Sequence, residues 1–406
     1  MAFSSSDNSA RSSGNRADSK AQLPALTSLR GIAALWVVLY HYSVQCFPNL
    51  DATQYTHLIH KGYLAVDMFF MLSGFVMTHV YHRAFSDSVS HHYRSFIVAR
   101  IARVYPLHLL VLLLFVTTAI VAHFAAGASL IRLDDIPLRG SESVAAFVAN
   151  LFMLQGLNAG QLSWNYPAWS ISVEFVAYLL FPFALPAIWG ASDRVKISIA
   201  LCLLVALTVL AFLSKGNFDQ WDGPITLLRC LPEFILGTLL YCVFRAAPHN
   251  SWFSHDAVAL LVAAAIVISL QVDGPDLLIT CLFGALVLIA VLNKGAFSEW
   301  AQAAPLLWLG DVSYSLYLLH GFVQFVAGKL LTRFDIQNHA DLSTDRSFVL
   351  MALMIGVCLL AAHFTYFGIE IGSRRYLRNL LDIRQKRLLA RTNRHAAEPN
   401  GLKTPA

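Results

Sequence analysis

Long apolar runs separated by short polar segments fill the chain from about residue 28 to residue 370. An α-helix needs about 20 apolar residues to cross the ~30 Å hydrocarbon core of a bilayer. A further apolar run, Ser143–Leu157, is short, and we predict that it does not cross. The pattern therefore predicts an all-α, polytopic transmembrane helix bundle of about ten spanning helices plus one short non-spanning segment. The predicted spans lie near residues 28–47, 63–81, 97–122, 168–189, 196–213, 226–245, 256–271, 277–293, 306–330 and 348–370.

The composition agrees with a membrane protein and excludes an ordinary soluble enzyme. Hydrophobic residues make up 57% of the 406 residues and charged residues only 13%, about half of the ~25% that is usual in soluble domains. The six cysteines are scattered through apolar runs and predict neither a disulfide framework nor a metal site. The polar, serine-rich N-terminus lacks the apolar core of a secretory signal peptide.

The distribution of basic residues predicts the orientation, because cytoplasmic loops are enriched in lysine and arginine. If Ser143–Leu157 does not cross, the basic segments Arg83–Arg103 and Arg374–Arg394 share one side with the N-terminus. We therefore expect a multi-pass protein of the inner, cytoplasmic membrane with both termini in the cytoplasm. A basic tail beside a membrane helix favours anchoring to membrane lipids, and we expect no nucleic-acid partner.

These observations divide the chain into three parts. Residues 1–25 are expected to form a disordered cytoplasmic tail, residues 26–372 the membrane domain, and residues 373–406 a basic cytoplasmic tail. The longest loop between predicted spans is too short for a soluble domain. Any chemistry must therefore take place among the helices.

Four ionisable side chains fall at similar depth in the predicted spans: His41, Asp67, Glu174 and His320. Each alone has an ordinary explanation, such as a hydrogen-bonded core histidine or an aspartate that caps a kink. Together they predict a polar cavity inside the bundle, because charged groups that face lipid are costly. A carboxylate such as Asp67, bonded to one ring nitrogen of His41, would fix the tautomer of that imidazole.

Three arginines lie near the cytoplasmic ends of the predicted spans. Arg30 lies on the same helix stripe as His41, ~16 Å away along the axis at ~1.5 Å per residue. Arg100 and Arg103 form an i, i+3 pair on one helix face. The pair is either an ordinary positive flank or a phosphate clamp, because guanidinium binds phosphate oxygens bidentately.

Five short motifs, in this order, resemble acyltransferase family 3, a family of integral membrane O-acyltransferases that modify bacterial surface and exported carbohydrates. The resemblance extends from about Leu26 to Glu370, and the chain looks like the stand-alone form without a fused extracytoplasmic domain. The motifs are Arg30 with His41 after ten intervening residues, "FFMLSGF" at Phe69–Phe75, "RIAR" at Arg100–Arg103, "WSISVE" at Trp169–Glu174 and "SYSLYLLH" at Ser313–His320.

The resemblance implies a membrane O-acyltransferase that takes an acyl group, with acetyl as the default, from cytoplasmic acyl-CoA. The acceptor would be a hydroxyl of a carbohydrate or glycolipid on the outer side, such as a lipopolysaccharide or an exopolysaccharide. Acyl-CoA is a co-substrate, and no bound cofactor or metal is expected. Arg30, Arg100 and Arg103 would bind the phosphates of the donor.

We expect His41 to act as general base on the acceptor hydroxyl, oriented by Asp67, or else to carry the acyl group transiently. Glu174 and His320 are assigned to acceptor binding or to the cavity. Ser73 lies in the same cavity but is a less favoured nucleophile, because the sequence shows no base near it. Tyr314 and Tyr317 are expected to pack between helices with satisfied hydroxyls.

Two other classes of function remain open at this stage. The first is a proton-coupled transporter of a small solute, in which His41, Asp67 and Glu174 relay protons. Against it stands the absence of a detectable inverted repeat and of matching broken helices. The second is a non-catalytic scaffold or receptor, which so many polar groups at membrane depth disfavour.

Overall fold

The computed structural model describes residues 23–50, 53, 56–125, 142–158, 163–248, 252–333 and 342–376. These residues form α-helices, short 3-10 and π-helical turns and loops, with no strand among them. The α-helices are α1 (Pro24–Tyr40), α2 (Ala65–Asp87), α3 (Val89–Ala125), α4 (Val144–Leu151), α5 (Trp169–Gly190), α6 (Asp193–Leu213), α7 (Leu227–Ala246), α8 (Asp256–Gln271), α9 (Asp276–Leu292), α10 (Ala296–Ala301), α11 (Ala304–Asp311), α12 (Ser313–Arg333) and α13 (Thr344–Thr365).

Every one of the ten predicted spans coincides with helix, so the all-α membrane bundle is confirmed. Within the described ranges, six helices are long and apolar enough to cross a membrane: those at Gly62–Asp87, Val89–Ala122, Tyr166–Gly190, Asp193–Leu213, Gly223–Ala246 and Thr344–Tyr376. The helices α8 and α9 are apolar but shorter. The first and ninth predicted spans are interrupted, the first by a π-helical turn at His41–Cys46 and the ninth by a break at Val312 between α11 and α12.

The apolar run at residues 143–157 forms only a short helix, as predicted. Helix α4 has eight residues, which at ~1.5 Å per residue extend about 12 Å. Its N-terminus is capped by the Ser143 side chain, which accepts a hydrogen bond from the backbone N–H of Ala146. The chain then turns at Met153, a residue with φ of 55°, and a 3-10 turn follows at Gln155–Leu157.

The predicted tails lie almost entirely outside the described residues. Helix α1 begins at Pro24 and so includes the last two residues of the predicted N-terminal tail. The last described residue is Tyr376, slightly beyond the predicted end of the membrane domain at residue 372. Residues 1–22 and 377–406 are not described.

Large apolar side chains on the rim of the bundle are exposed, as a lipid-facing surface requires. Helix α6 carries Ile197, Leu201 and Val205 at one face, with 60%, 58% and 62% of each residue exposed. Soluble proteins rarely expose apolar patches of this extent. Helix α6 therefore lies at the lipid-facing edge, whereas α1, α2, α7 and α12 form the centre.

Glycine lets the central helices α2 and α7 approach backbone to backbone. A Cβ added to Gly74 would collide with the carbonyl oxygen of Phe234, and one added to Gly237 would collide with the carbonyl oxygen of Met71. Small residues at such crossings permit the close packing on which helix association in membranes depends. The Ser-Gly pair of the "FFMLSGF" motif thus fixes the distance between α2 and α7.

A buried ion pair joins the same two helices. Arg229 Nε and Nη2 donate to the two carboxylate oxygens of Asp67 at 2.7 and 2.6 Å, and both residues are buried. The guanidinium also donates to the carbonyl oxygens of Phe218 and Tyr63, at 3.2 and 3.3 Å. One arginine therefore ties α2 and α7 to the segments that precede each of them.

Replacing Gly74 should destabilise the bundle, because Gly74→Ala places a methyl group against a backbone carbonyl. Overpacking of this kind costs about 1–3 kcal/mol. Gly356→Ala is the matched control, since a Cβ at Gly356 meets nothing within 4 Å. Thermal unfolding in detergent should show a lower midpoint for Gly74→Ala alone, and equal midpoints for the two variants would contradict the close crossing.

Removing one partner of the Asp67–Arg229 ion pair should lower the stability of the bundle more than Gly74→Ala does. Asp67→Asn leaves the Arg229 charge buried without its counterion, and breaking a buried pair in this way costs about 3–5 kcal/mol. We expect a sharply lower thermal midpoint, with Asp193→Asn as control because the Asp193 side chain is 94% exposed. An Asp67→Asn protein as stable as the wild type would show that the pair does not hold the helices.

Candidate active site

Two histidines meet at the centre of the bundle. His41 Nδ1 and His320 Nε2 lie 3.1 Å apart, and the two rings stack with centroids 5.0 Å apart at an angle of 23°. His320 is fully buried, whereas His41 keeps some exposure. A hydrogen bond between two imidazoles requires one ring nitrogen to donate and the other to accept, so the pair fixes the tautomers of both rings relative to each other.

Local departures from α-helical geometry place His41. Helix α1 ends at Tyr40, and His41 opens the π-helical turn His41–Cys46. Such turns are rare and are found most often at functional sites, where they change the direction of side chains. Next to His41 in the chain, Tyr42 donates from its hydroxyl to the carbonyl oxygen of His320 at 3.0 Å, which ties the turn to α12.

Aromatic rings and a carboxylate surround His41. The ring of Tyr166 lies edge-on with its centroid 5.0 Å from that of His41, and the Tyr40 ring lies 4.9 Å away. The Tyr40 hydroxyl donates to Asp219 Oδ2 at 2.9 Å. His41 therefore lies between the rings of Tyr40 and Tyr166, and the hydroxyl of Tyr40 is bonded to the carboxylate of Asp219.

His41 lines a polar cavity, which we call the His41 cavity. Its volume is about 240 Å³. The wall comes from the π-helical turn, from the segment between α4 and α5, and from the loop between α6 and α7. It is formed by His41, Gln45, Gln155, Gly156, Asn158, Ser163, Asn165, Tyr166, Trp169, Asp219, Gln220, Trp221, Asp222, Gly223 and Thr226.

A second cavity, which we call the arginine cavity, lies toward the other end of α1. It is lined by Arg30 and Arg103, by Ser73, Glu174, Tyr178 and Ser313, and by apolar side chains of α2 and α3. Arg30 donates to the carbonyl oxygen of Gly310 at 3.1 Å and from Nε to Ser313 Oγ at 3.3 Å. These two bonds fix the guanidinium of Arg30 at the cavity wall.

Inside the arginine cavity three side chains form a hydrogen-bonded chain. Tyr178 donates to Glu174 Oε1 at 2.6 Å, and Ser73 Oγ lies 3.0 Å from the Tyr178 hydroxyl. Because the Tyr178 proton is given to Glu174, Ser73 acts as the donor to Tyr178. The structure thus supplies, on α5, the polar partners of Ser73 that the sequence did not show.

A wall of side chains separates the two cavities, which share no lining residue. Tyr317 is central to it: its hydroxyl lies 2.7 Å from Ser170 Oγ and donates to the carbonyl oxygen of Pro167 at 3.0 Å. The Tyr317 ring lies 5.6 Å from that of His320 and 5.7 Å from that of Phe69. The histidine pair therefore lies directly behind this wall.

Tyr314 donates to the carbonyl oxygen of Val104 at 2.7 Å. The hydroxyls of Tyr314 and Tyr317 are therefore both satisfied, as predicted.

The structure corrects the predicted partner of His41. Asp67 does not orient this imidazole, because both of its carboxylate oxygens accept hydrogen bonds from Arg229. The ring nitrogen Nδ1 of His41 faces His320 instead. Similar depth in the membrane placed Asp67 and His41 together in the prediction, but the two side chains belong to different clusters.

The four ionisable residues had been expected to share one cavity, and they do not. His41 and His320 meet, whereas Glu174 and Ser73 lie in the arginine cavity. Of the residues assigned to acceptor binding or to the cavity, Glu174 and Ser73 therefore line the arginine cavity and not the His41 cavity. His320 keeps its expected place beside His41.

Of the three arginines expected to bind the donor, Arg30 and Arg103 line the arginine cavity and Arg100 does not. The Arg100 guanidinium donates to Met77 Sδ at 3.3 Å and to the Tyr81 hydroxyl at 3.2 Å. It also lies 5.5 Å from the centroid of the Tyr81 ring, in cation–π geometry. Arg100 thus packs α3 against α2.

Sequence reasoning missed Arg229, Tyr178 and Asp219. Arg229 had a visible signal, because it lies with Glu233 in an otherwise apolar run that was predicted to span the membrane. Tyr178 and Asp219 had none, since a tyrosine in an apolar helix and an aspartate in a polar loop are common. Among the residues that the structure describes, no three His, Cys, Asp or Glu side chains group as metal ligands.

Comparison with known proteins gives the family of the chain. The family model described as "Acyltransferase domain" (Acyl_transf_3) matches residues 23–363. The chain is similar to "Acyltransferase MdmB" of Streptomyces mycarofaciens, with 28% identity over 88% of this chain and 92% of that protein. It is also similar to "Protein 2 in picA locus" of Rhizobium radiobacter, with 33% identity over 46% of this chain and 91% of that protein.

A third relative is the protein named "Putative O-acetyltransferase" of Staphylococcus aureus (strain COL), with 24% identity over 73% of this chain and 50% of that protein. No solved structure matches the chain. The family match extends over most of the helices that build the two cavities, including Arg30, His41, Arg103 and His320. The chain belongs to acyltransferase family 3 and is a membrane acyltransferase.

Proposed function

We propose that the protein is an O-acyltransferase of the inner, cytoplasmic membrane, with both termini in the cytoplasm. It transfers an acyl group, with acetyl as the default, from acyl-CoA in the arginine cavity to a hydroxyl of a carbohydrate or glycolipid in the His41 cavity. The observation that carries this proposal is the placement of the histidine pair behind the wall between two chemically different cavities. The relatives named as an acyltransferase and an O-acetyltransferase support the same chemistry.

The donor side follows from charge. Acyl-CoA is rich in phosphate, and guanidinium groups bind phosphate oxygens with short, charge-assisted hydrogen bonds. Arg30 and Arg103 both line the arginine cavity, and basic segments flank the same ends of the helices. This end therefore faces the cytoplasm, where acyl-CoA is made.

The acceptor side follows from the polar wall of the His41 cavity. Its amide, carboxylate and indole side chains suit a polyhydroxylated ligand, which they can hold by hydrogen bonds and ring contacts. Among the described lining residues, His41 is the one with an imidazole, whose unprotonated ring nitrogen can accept a proton from a hydroxyl. The hydroxyl to be acylated would therefore lie against His41.

The histidine pair provides the base. If His41 Nδ1 donates to His320 Nε2, then Nε2 of His41 is unprotonated and can accept the hydroxyl proton. His320 then takes the orienting role that we had expected of Asp67. For the transfer the thioester must reach past the wall at Tyr317 into bonding distance of the hydroxyl. The hydroxyl oxygen then attacks the thioester carbonyl, the new carbon–oxygen bond forms and the carbon–sulfur bond breaks. The proton given to His41 balances the one that the departing thiolate takes up.

The transporter hypothesis makes a different demand on the same residues. A proton relay would need His41 linked to Asp67 and Glu174, but Asp67 is paired with Arg229 and Glu174 lies in the other cavity. Membership in an acyltransferase family also favours group transfer. Purified protein with labelled acetyl-CoA and acceptor should release free CoA, and a transporter would release none.

Replacing His41 should abolish acylation without disturbing insertion. A positioned general base contributes about 10²–10⁴-fold in rate, so His41→Ala should lower transfer at least about 100-fold. His60→Ala is the control, since His60 is exposed in a loop. Label transfer from acetyl-CoA to glycans in membrane vesicles measures the rate, and normal transfer by His41→Ala at equal protein level would contradict the base role.

Replacing Arg103 and replacing Arg100 should have different effects, because only Arg103 lines the arginine cavity. Arg103→Ala should raise the KM for acyl-CoA about 10- to 100-fold, because a hydrogen bond to a charged group contributes roughly 1.5–3 kcal/mol. Arg83→Ala is the control, since Arg83 is basic but exposed. Arg100→Ala should lower thermal stability with little effect on KM. An unchanged KM in Arg103→Ala would remove the phosphate role.

A further inference from the structure

The charged side chains in the described lining of the His41 cavity are acidic. Two carboxylates, Asp219 and Asp222, belong to its wall, and both residues are exposed. Among the described residues that line it there is no lysine and no arginine. The arginine cavity has the opposite character, since Arg30 and Arg103 face its interior.

Two side-chain amides of the wall have an N–H group bonded to the backbone. Gln155 Nε2 donates to the carbonyl oxygen of Ala168 at 2.9 Å, and Asn165 Nδ2 donates to that of Leu318 at 3.0 Å. These bonds use the amide N–H groups on the protein itself. Within the described part of the chain, the side-chain oxygens of the same two residues are buried and have no hydrogen-bond partner.

Other groups of the wall can donate, and most of them can also accept. The Thr226 hydroxyl donates to the carbonyl oxygen of Gly223 at 2.6 Å. The indole N–H of Trp221 is a buried donor without a partner among the described residues. The lining side chains that can donate as well as accept also include Gln45, Asn158, Ser163 and Gln220. The feature that distinguishes the wall is therefore the charge of its two aspartates.

The cation nearest in the chain to this wall is already neutralised. Arg229 lies behind Trp169, 5.8 Å from its ring centroid, but its guanidinium is bonded to both oxygens of Asp67. Glu233, one turn further along α7, is a second fully buried carboxyl group. The protein behind the wall therefore adds no net positive charge that would attract an anion.

From these groups we infer the chemical class of the acceptor, an inference that rests on the proposed function. The part of the acceptor that enters the His41 cavity is a neutral or amino-bearing polyhydroxyl compound without carboxylate, sulfate or phosphate. Its O–H or N–H groups donate to the two aspartates. An anionic sugar would meet like charges.

The test begins with the acceptor as the cell makes it. Glycans and glycolipids from cells with and without the gene are compared by mass spectrometry, and the lost ester is mapped to one sugar. We expect a neutral or amino sugar. An ester on a uronic acid, or on a sulfated or phosphorylated sugar, overturns this inference and leaves the proposed function standing. Loss of no ester overturns the proposed function, and this inference with it.

The two aspartates provide a second measurement, made in membrane vesicles with that acceptor and its carboxylated analogue. Replacing both aspartates by asparagine should raise the rate ratio of the anionic over the neutral acceptor roughly three- to tenfold at low salt, and less at high salt. Asp193→Asn, at an exposed site on α6, is the matched control. An unchanged ratio in the double variant contradicts the charge selection.

Discussion

The ion pair between Asp67 and Arg229 is the constraint around which the centre of the bundle is arranged. A single guanidinium, fully buried, bonds the carboxylate of α2 and the carbonyl oxygens of Tyr63 and Phe218. Phe218 leads into the loop that carries Asp219 and Asp222, and Tyr63 precedes α2. Burying two charges is costly unless every bond is made, so this junction permits few alternative arrangements. The same ion pair thereby fixes both the loop that carries Asp219 and Asp222 and the crossing of α2 with α7.

The chemistry of the site arises where the helices stop being regular. Uniform α-helices would bury apolar side chains against one another and leave no polar space between them. Here α1 passes into a π-helical turn at His41, and a 3-10 turn at Tyr166–Ala168 precedes α5. The irregular backbone lines a cavity, which is the place where such backbone is tolerated at membrane depth. The two cavities then differ in charge because different helices supply their walls.

Much of the fold could be predicted from the sequence, because a bilayer demands runs of about 20 apolar residues and these are visible in one dimension. All ten segments are helical, and the short run before α5 forms a helix of only eight residues. Candidate residues could also be found, since an ionisable group in an apolar run stands out. The partners of these residues in the folded bundle could not be predicted. Depth along a helix is readable from residue spacing, but which helices are neighbours is not. This is why Asp67 was paired with His41, 26 positions before it, and not with Arg229, 162 positions after it.

The wall at Tyr317 and Ser170 has an electrical consequence. Under the proposed function, the hydroxyl that loses a proton is reached from the His41 cavity, and the thiol that gains one leaves through the arginine cavity on the other side of this wall. Either the proton passes directly from the histidine pair to the sulfur, or each cavity exchanges it with its own water. In the second case every turnover moves one elementary charge across the barrier, which at 100 mV corresponds to about 2.3 kcal/mol. Under the proposed function, the path of a single proton thus decides whether membrane voltage acts on the transfer at all.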